Sequence, residues 1–128
     1  MIPSIGARDE LSLAELTRAV CDFADAREWQ QFHDPKNLAM ALASEAGELS
    51  AILRWVSNAE SDELVSAGKS REELRAEIGD VGICLLLLCA RVGIDLRVAV
   101  NEKLNANATK YPIAESRGRS DPPKGLPR

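Results

Sequence analysis

The stretch SREELRAEIGDVGICLLLLCARVG, residues 70–93, decides the fold. Ser70 opens a Ser-Arg-Glu-Glu pattern, with Glu73 at the spacing where a helix N-cap and its third residue satisfy each other's backbone donors. From there Ile78, Val81 and the apolar segment from Ile83 to Cys89 run on without a breaker to Gly93, a residue suited to closing a helix. The reading is one long helix, the most buried in the chain. The same grammar recurs on both sides. Ser12 begins Ser-Leu-Ala-Glu, and Leu13, Leu16, Val20, Phe23 and Ala24 follow at helical spacing, which predicts a first helix to about Gln30. Asp34 precedes Pro35, a good first helical residue. Leu38, Ala39, Leu42, Leu49, Ile52, Leu53 and Val56 then carry a second stripe, ending near Trp55 or Val56. Asp95 caps a fourth helix with Leu96, Val98, Ala99 and Leu104 on its apolar side, stopping before Pro112. Ser57 to Lys69 reads as a loop with room for one short helical turn. Strand-like alternation is scarce, so the expected fold is all-α, with four helices over residues 1–112. Residues 113–128, containing Pro122, Pro123 and Pro127, form a tail with too little apolar surface to fold alone.

Composition narrows the function. The 128 residues, 45% hydrophobic and 28% charged, suffice for one domain and leave no room for a second core. Twenty Asp and Glu outweigh sixteen Lys and Arg, giving a net charge of −4. No broad basic field exists for holding the phosphates of DNA or RNA, so no nucleic-acid partner is expected. Cys21, Cys84 and Cys89 are odd in number, and two of them sit inside the apolar run, where a free thiol behaves as a small core residue. The longest apolar run, Val81 to Ala90, falls well short of the roughly 20 residues that cross a bilayer. Met1 to Glu10 carries acids and no apolar signal core. The expectation is a soluble cytoplasmic protein without a membrane partner.

The acids are the chemically informative feature. Glu45 and Glu48 lie three apart on the second helix and Glu77 and Asp80 three apart on the third, so each pair projects from one face and the four carboxylates could converge. Such pairs also occur on solvated faces, but each of these encloses a glycine. Gly47 and Gly79 each cost about 0.8–1 kcal/mol relative to alanine inside a helix. The sequence-level explanation is close approach of two helix backbones, with Leu42, Leu49, Ile78 and Val81 as core neighbours. Four carboxylates in a partly dry cleft repel one another unless protonated or neutralised, and a divalent cation does the latter. All-oxygen ligation suits Mg²⁺, with Mn²⁺ as a substitute, and Mg²⁺ characteristically completes its shell with water and substrate phosphates. A di-iron bundle needs Glu-x-x-His ligands, whereas the sole histidine, His33, lies in a turn. Trp29, His33 and Trp55 flank the second helix and suit either base stacking or packing. Lys103, Asn107 and Lys110 form one strip on the fourth helix, either a solvated face or a phosphate contact. A non-catalytic helical dimerisation module, with the acids facing a basic partner, is the competing reading.

In their order, Arg27-Glu-Trp29-Gln-Gln-Phe-His33-Asp-Pro35-Lys36-Asn37-Leu38, Glu45-x-x-Glu48, Trp55, Glu77-x-x-Asp80, Gly93-Ile-Asp95-Leu96, Lys103-x-x-x-Asn107, Lys110-Tyr111-Pro112 and Ser116-Arg117-Gly118 resemble the MazG-like all-α nucleotide pyrophosphohydrolases. Their dCTP pyrophosphatase branch is the most similar. The resemblance implies a four-helix bundle assembled as a homodimer or a dimer of dimers. It also implies Mg²⁺-dependent cleavage of a nucleoside triphosphate between its α and β phosphates, a house-cleaning reaction giving monophosphate and pyrophosphate. By motif, Glu45, Glu48, Glu77 and Asp80 would be metal ligands and catalytic groups. Trp29, His33, Asn37 and Trp55 would meet base and sugar, and Lys103, Asn107, Lys110, Tyr111 and Arg117 would complete the substrate site. Relatives often have histidine where this chain has Val20, tyrosine at Cys84 and a further glutamate at Ala51. Hydrolysis is therefore better marked than the base: dCTP or a modified deoxynucleotide leads, with dUTP and dTTP open. Another nucleotide handled by the same fold is the remaining alternative.

Overall fold

A computed structural model describes residues 10–121. Met1 to Asp9 and the expected tail prolines Pro122, Pro123 and Pro127 lie outside the described residues. Helices α1 (Leu13–Asp25), α2 (Pro35–Leu53), α3 (Asn58–Leu64), α4 (Gly68–Val92), α5 (Leu96–Lys110) and α6 (Ile113–Ser116) are joined by turns, one of them a 3₁₀ turn at Trp29–Phe32. No strand occurs among the described residues, so the all-α expectation holds. No described helix is long and apolar enough to cross a membrane.

Three of the four expected caps form. Ser12 Oγ accepts the Glu15 N–H at 3.1 Å, Asp34 Oδ1 accepts that of Asn37 at 2.9 Å, and Asp95 Oδ1 accepts that of Val98 at 3.2 Å. The fourth does not. Helix α4 begins two residues before Ser70, behind an extended Ala67. Gly68, at φ +75°, turns the chain there, and the Arg71 guanidinium donates to the Val65 carbonyl at 3.2 Å, so Ser70 is already inside the first turn. At the other end Gly93 adopts φ +70° and donates its N–H to the Cys89 carbonyl, as expected of a closing glycine.

Other boundaries shift for local reasons. The first helix stops at Asp25 because Glu28 takes the left-handed conformation, φ 55°, and the chain reverses through the 3₁₀ turn. Helix α2 ends at Leu53, two residues early, where a Val56 N–H to Leu53 carbonyl bond of 3.2 Å closes a turn. The short turn allowed in the 57–69 loop is a helix of two turns. Residues 113–116 of the expected tail are helical, with Ile113 largely exposed.

The described residues fall into two units meeting at Gly93–Ile94. In the first, α2 lies along α4, and α1 also packs on α4. Ala19, Ala24, Leu38, Leu86 and Cys89 are its buried residues. This core is thinner than the apolar run promised: Ile78 and Ile83 on α4 and Met40 on α2 remain exposed. The glycines correct a second expectation. A Cβ built on Gly47 or Gly79 would meet nothing within 4 Å, so neither glycine serves a close approach of helices among the described residues. The second unit holds α5 and α6.

Candidate functional site

Helices α2 and α4 run antiparallel: Leu38 and Leu87 line one cavity near one end, while Glu45 meets Glu77 and Asp80 further along. That pairing brings one carboxylate oxygen from each of Glu45, Glu77 and Asp80 within 4.8 Å of the others, Glu45 and Glu77 half-buried and Asp80 exposed. Glu48 is not in this trio. Three residues advance a helix by about 300°, which leaves Glu48 some 60° round α2 from Glu45, on an exposed position. Its charge still reaches the site, because Glu48 is among the groups acting on Glu77.

Electrostatically the trio is under tension. The Glu77 carboxyl is pushed above the usual carboxylate range, first by removal from water, then by the charges of Glu45 and Asp80, a proton-sharing contact with Glu45, and Glu48. Its Oε2 is shielded from solvent and has no hydrogen-bond partner. Three convergent carboxylate oxygens, one of them on a residue that also carries a shielded, unpartnered oxygen, fit a hard cation with oxygen ligands. One turn beyond Asp80, the half-buried Cys84 thiol is pushed up by burial and by Glu45 and Asp80. Cys84 thus borders the acids, a position that its i,i+4 relation to Asp80 already contained.

The aromatic residues form a separate platform. Phe23 and Trp29 meet edge to face at 5.8 Å between centroids, and Trp29 and His33 at 6.2 Å. Arg27 stacks 3.6 Å above the Phe23 ring and donates to the Phe23 carbonyl, bracing the chain into the 3₁₀ turn. Asn37 braces the other side, its side-chain amide donating to the Phe32 carbonyl at 3.1 Å. His33 lines an open cavity of about 210 Å³ among the turn, α1, α2 and α4. Trp55, just past α2, is 86% exposed, with the Arg54 guanidinium 5.3 Å from its ring centroid.

The remaining residues named from sequence belong to the second unit. Lys103 is exposed on α5, while Asn107 and Lys110 are half-buried. The Asn107 carbonyl accepts the Tyr111 N–H at 2.7 Å, and the Lys110 ammonium lies 5.4 Å from the Tyr111 ring centroid. Arg117 follows α6 and is exposed.

Comparison with known proteins gives the family. A model of the MazG-like family matches residues 41–124. The dCTP pyrophosphatase 1 of Rattus norvegicus is 40% identical over 119 residues, spanning 93% of this chain and 70% of that protein. That of Homo sapiens is 37% identical over 111 residues, 87% of this chain and 65% of that protein. Among solved structures, a pyrophosphatase from Archaeoglobus fulgidus superposes with a TM-score of 0.73 at 38% identity, covering 78% of this chain and 92% of that one. Similar in sequence across most of its length and similar in fold to a pyrophosphatase, the chain belongs to the MazG-like family.

Proposed function

We propose that the chain is a Mg²⁺-dependent nucleoside triphosphate pyrophosphohydrolase, acting on dCTP or a modified deoxynucleotide. The observation carrying this reading is the trio Glu45, Glu77 and Asp80, which brings one carboxylate oxygen from each together at Glu77, whose shielded Oε2 has no hydrogen-bond partner among the described residues. These three carboxylates hold the cation, with Glu48 at the edge. When bound, the cation offsets triphosphate charge and stabilises the charge that develops on the departing pyrophosphate. Mn²⁺, with similar preferences, substitutes for it. The protein's own groups do the rest. Carboxylates at the rim orient the attacking water and accept its proton as the α–β anhydride breaks, giving the monophosphate and pyrophosphate without a covalent nucleophile. Trp29 and His33 receive base and sugar, Asn37 supports them by holding the Phe32 carbonyl, and the exposed Trp55 supplies a stacking face. Lys103, Asn107, Lys110, Tyr111 and Arg117 serve the phosphates.

The active form is a homodimer or homotetramer. Large apolar side chains left exposed on the first unit, among them Leu13, Phe23, Met40, Ile78 and Ile83, support self-association. Residues 1–112 constitute the catalytic domain and the remainder an appended tail. The test is pyrophosphate release from the four standard and several 5-modified deoxynucleoside triphosphates, with and without Mg²⁺. Release led by dCTP or a 5-modified relative is expected; folded protein that releases pyrophosphate from none of them overturns the reading.

A further inference from the structure

Arg91 stands on the acid-bearing face of α4. Glu77, Asp80, Cys84, Leu87 and Arg91 recur at intervals of three and four, one stripe along the helix. From Asp80 to Arg91 the stripe rises about 16 Å, a span comparable with an extended nucleoside triphosphate. At its far end the Arg91 guanidinium donates to the Gln30 carbonyl at 3.5 Å. Gln30 lies in the 3₁₀ turn that carries Trp29, and its carbonyl also accepts the His33 N–H at 3.1 Å. Apart from the proton-sharing acids, this is the one side-chain hydrogen bond among the described residues that spans more than six positions. Everything else gripping the turn is local: Arg27 on Phe23, Gln31 on the Glu28 carbonyl, Gln30 on Asp25, and Asn37 on the Phe32 carbonyl.

The cavity of about 210 Å³ lies among this turn, the end of α1, the start of α2 and α4, with His33, Asp25 and Arg91 on its walls and Ala24, Leu38 and Leu87 among its apolar residues. The turn rests on α1 through the Phe23–Trp29 contact, and the Arg91 bond is the one side-chain hydrogen bond among the described residues that joins it to α4. Arg91 is also uncommitted electrostatically, since the one ion pair among the described residues is Lys69–Glu73. We propose that Arg91 is a positioning residue, which holds the carbonyl end of the 3₁₀ turn from the acid-bearing helix and so sets the distance of Trp29 and His33 from Glu45, Glu77 and Asp80. The proposal rests on the nucleotide reading above, in which the turn receives base and sugar. Being long and exposed, the bond adds little to global stability. Its loss lets the turn shift over the cavity and leaves the fold intact.

Arg91→Met keeps the apolar stem and removes the donors; Arg91→Lys keeps one donor in reach. Full-length protein labelled with 5-fluorotryptophan gives two ¹⁹F resonances, with Trp55 as the internal reference. Arg91→Met is expected to raise KM by about 3- to 10-fold, the scale of one modest hydrogen bond. Unchanged kcat, a shifted or broadened Trp29 resonance, an unmoved Trp55 resonance and substantial recovery in Arg91→Lys complete the expectation. An unchanged KM together with an unchanged Trp29 resonance overturns it. So does a joint fall of kcat and Tm that lysine fails to recover, since that marks a merely structural residue. If the wild type hydrolyses no triphosphate, the nucleotide reading fails, while the Trp29 resonance still decides whether Arg91 holds the turn.

Discussion

Alanine at Gly47 or Gly79 should stabilise the folded chain. Both glycines sit inside long helices, and a Cβ at either position would meet nothing within 4 Å. With no steric debit, the helix-propensity gain of about 0.8–1 kcal/mol per site stands alone. Gly82, equally open on α4, brings the three-site total to roughly 2.5–3 kcal/mol if the effects add; Gly79 and Gly82 are close enough for some coupling. For a chain of this size each replacement corresponds to about 3–5 °C in Tm. Urea denaturation at several protein concentrations is the suitable assay, because it separates a gain within the chain from a change in self-association. Turnover should persist, since Gly47 is turned about 160° from Glu45 round α2, and Gly79 about 160° from Glu77 and about 100° from Asp80 round α4, so neither added methyl shares a face with the acids. A loss of stability in either single variant that persists at every protein concentration would refute the reasoning. A loss confined to the associated form would show that a second copy occupies the space beside the glycine.

Further outcomes follow from the same geometry. Folding raises the Glu77 pKa, so the folded chain keeps a proton that the unfolded chain releases. The Glu77 contribution to metal-free stability should therefore be fully present below the unfolded value of about 4.3 and be lost as pH rises through the higher folded one. Tm against pH should flatten in Glu77→Gln, and Mg²⁺ should restore the wild type at neutral pH; a pH profile identical in both proteins would contradict the assignment. Asp34→Ala removes the cap on Asn37 N–H and should cost about 1 kcal/mol, read by the same denaturation assay. Trp55→Ala should alter stability by less than about 0.5 kcal/mol, as at an exposed site, yet raise KM for the nucleotide.

Helix existence was legible wherever a cap and an apolar period agreed, as at Ser12, Asp34 and Asp95. It failed by a few residues where the determining term was backbone conformation. Glu28 in the left-handed region breaks the first helix, and Gly68 starts α4 ahead of the Ser70 capping pattern. Neither the charge nor the hydropathy of those residues announces this. Glu77 and Asp80 could be paired from spacing, as could Glu45 with Glu48, because a helix fixes which side chains share a face; which acid of α2 meets the α4 pair could not. Glu48 was harder, since membership of the trio depends on the rotation of α2 against α4. The glycines misled for a related reason: a small residue marks a place where something can approach without saying whether that is a neighbouring helix or open space. Arg91 carries no motif at all, and its bond to Gln30 crosses 61 positions of chain.

The most direct test of the central claim is product analysis of dCTP turnover across a Mg²⁺ titration, with wild type beside Asp80→Asn. The account predicts dCMP and pyrophosphate in equal amounts, a rate that saturates in Mg²⁺, and loss of at least about 100-fold in the variant, the scale of removing one preorganised charge-stabilising group. Orthophosphate with dCDP, a rate indifferent to Mg²⁺, or undiminished turnover in Asp80→Asn would contradict it.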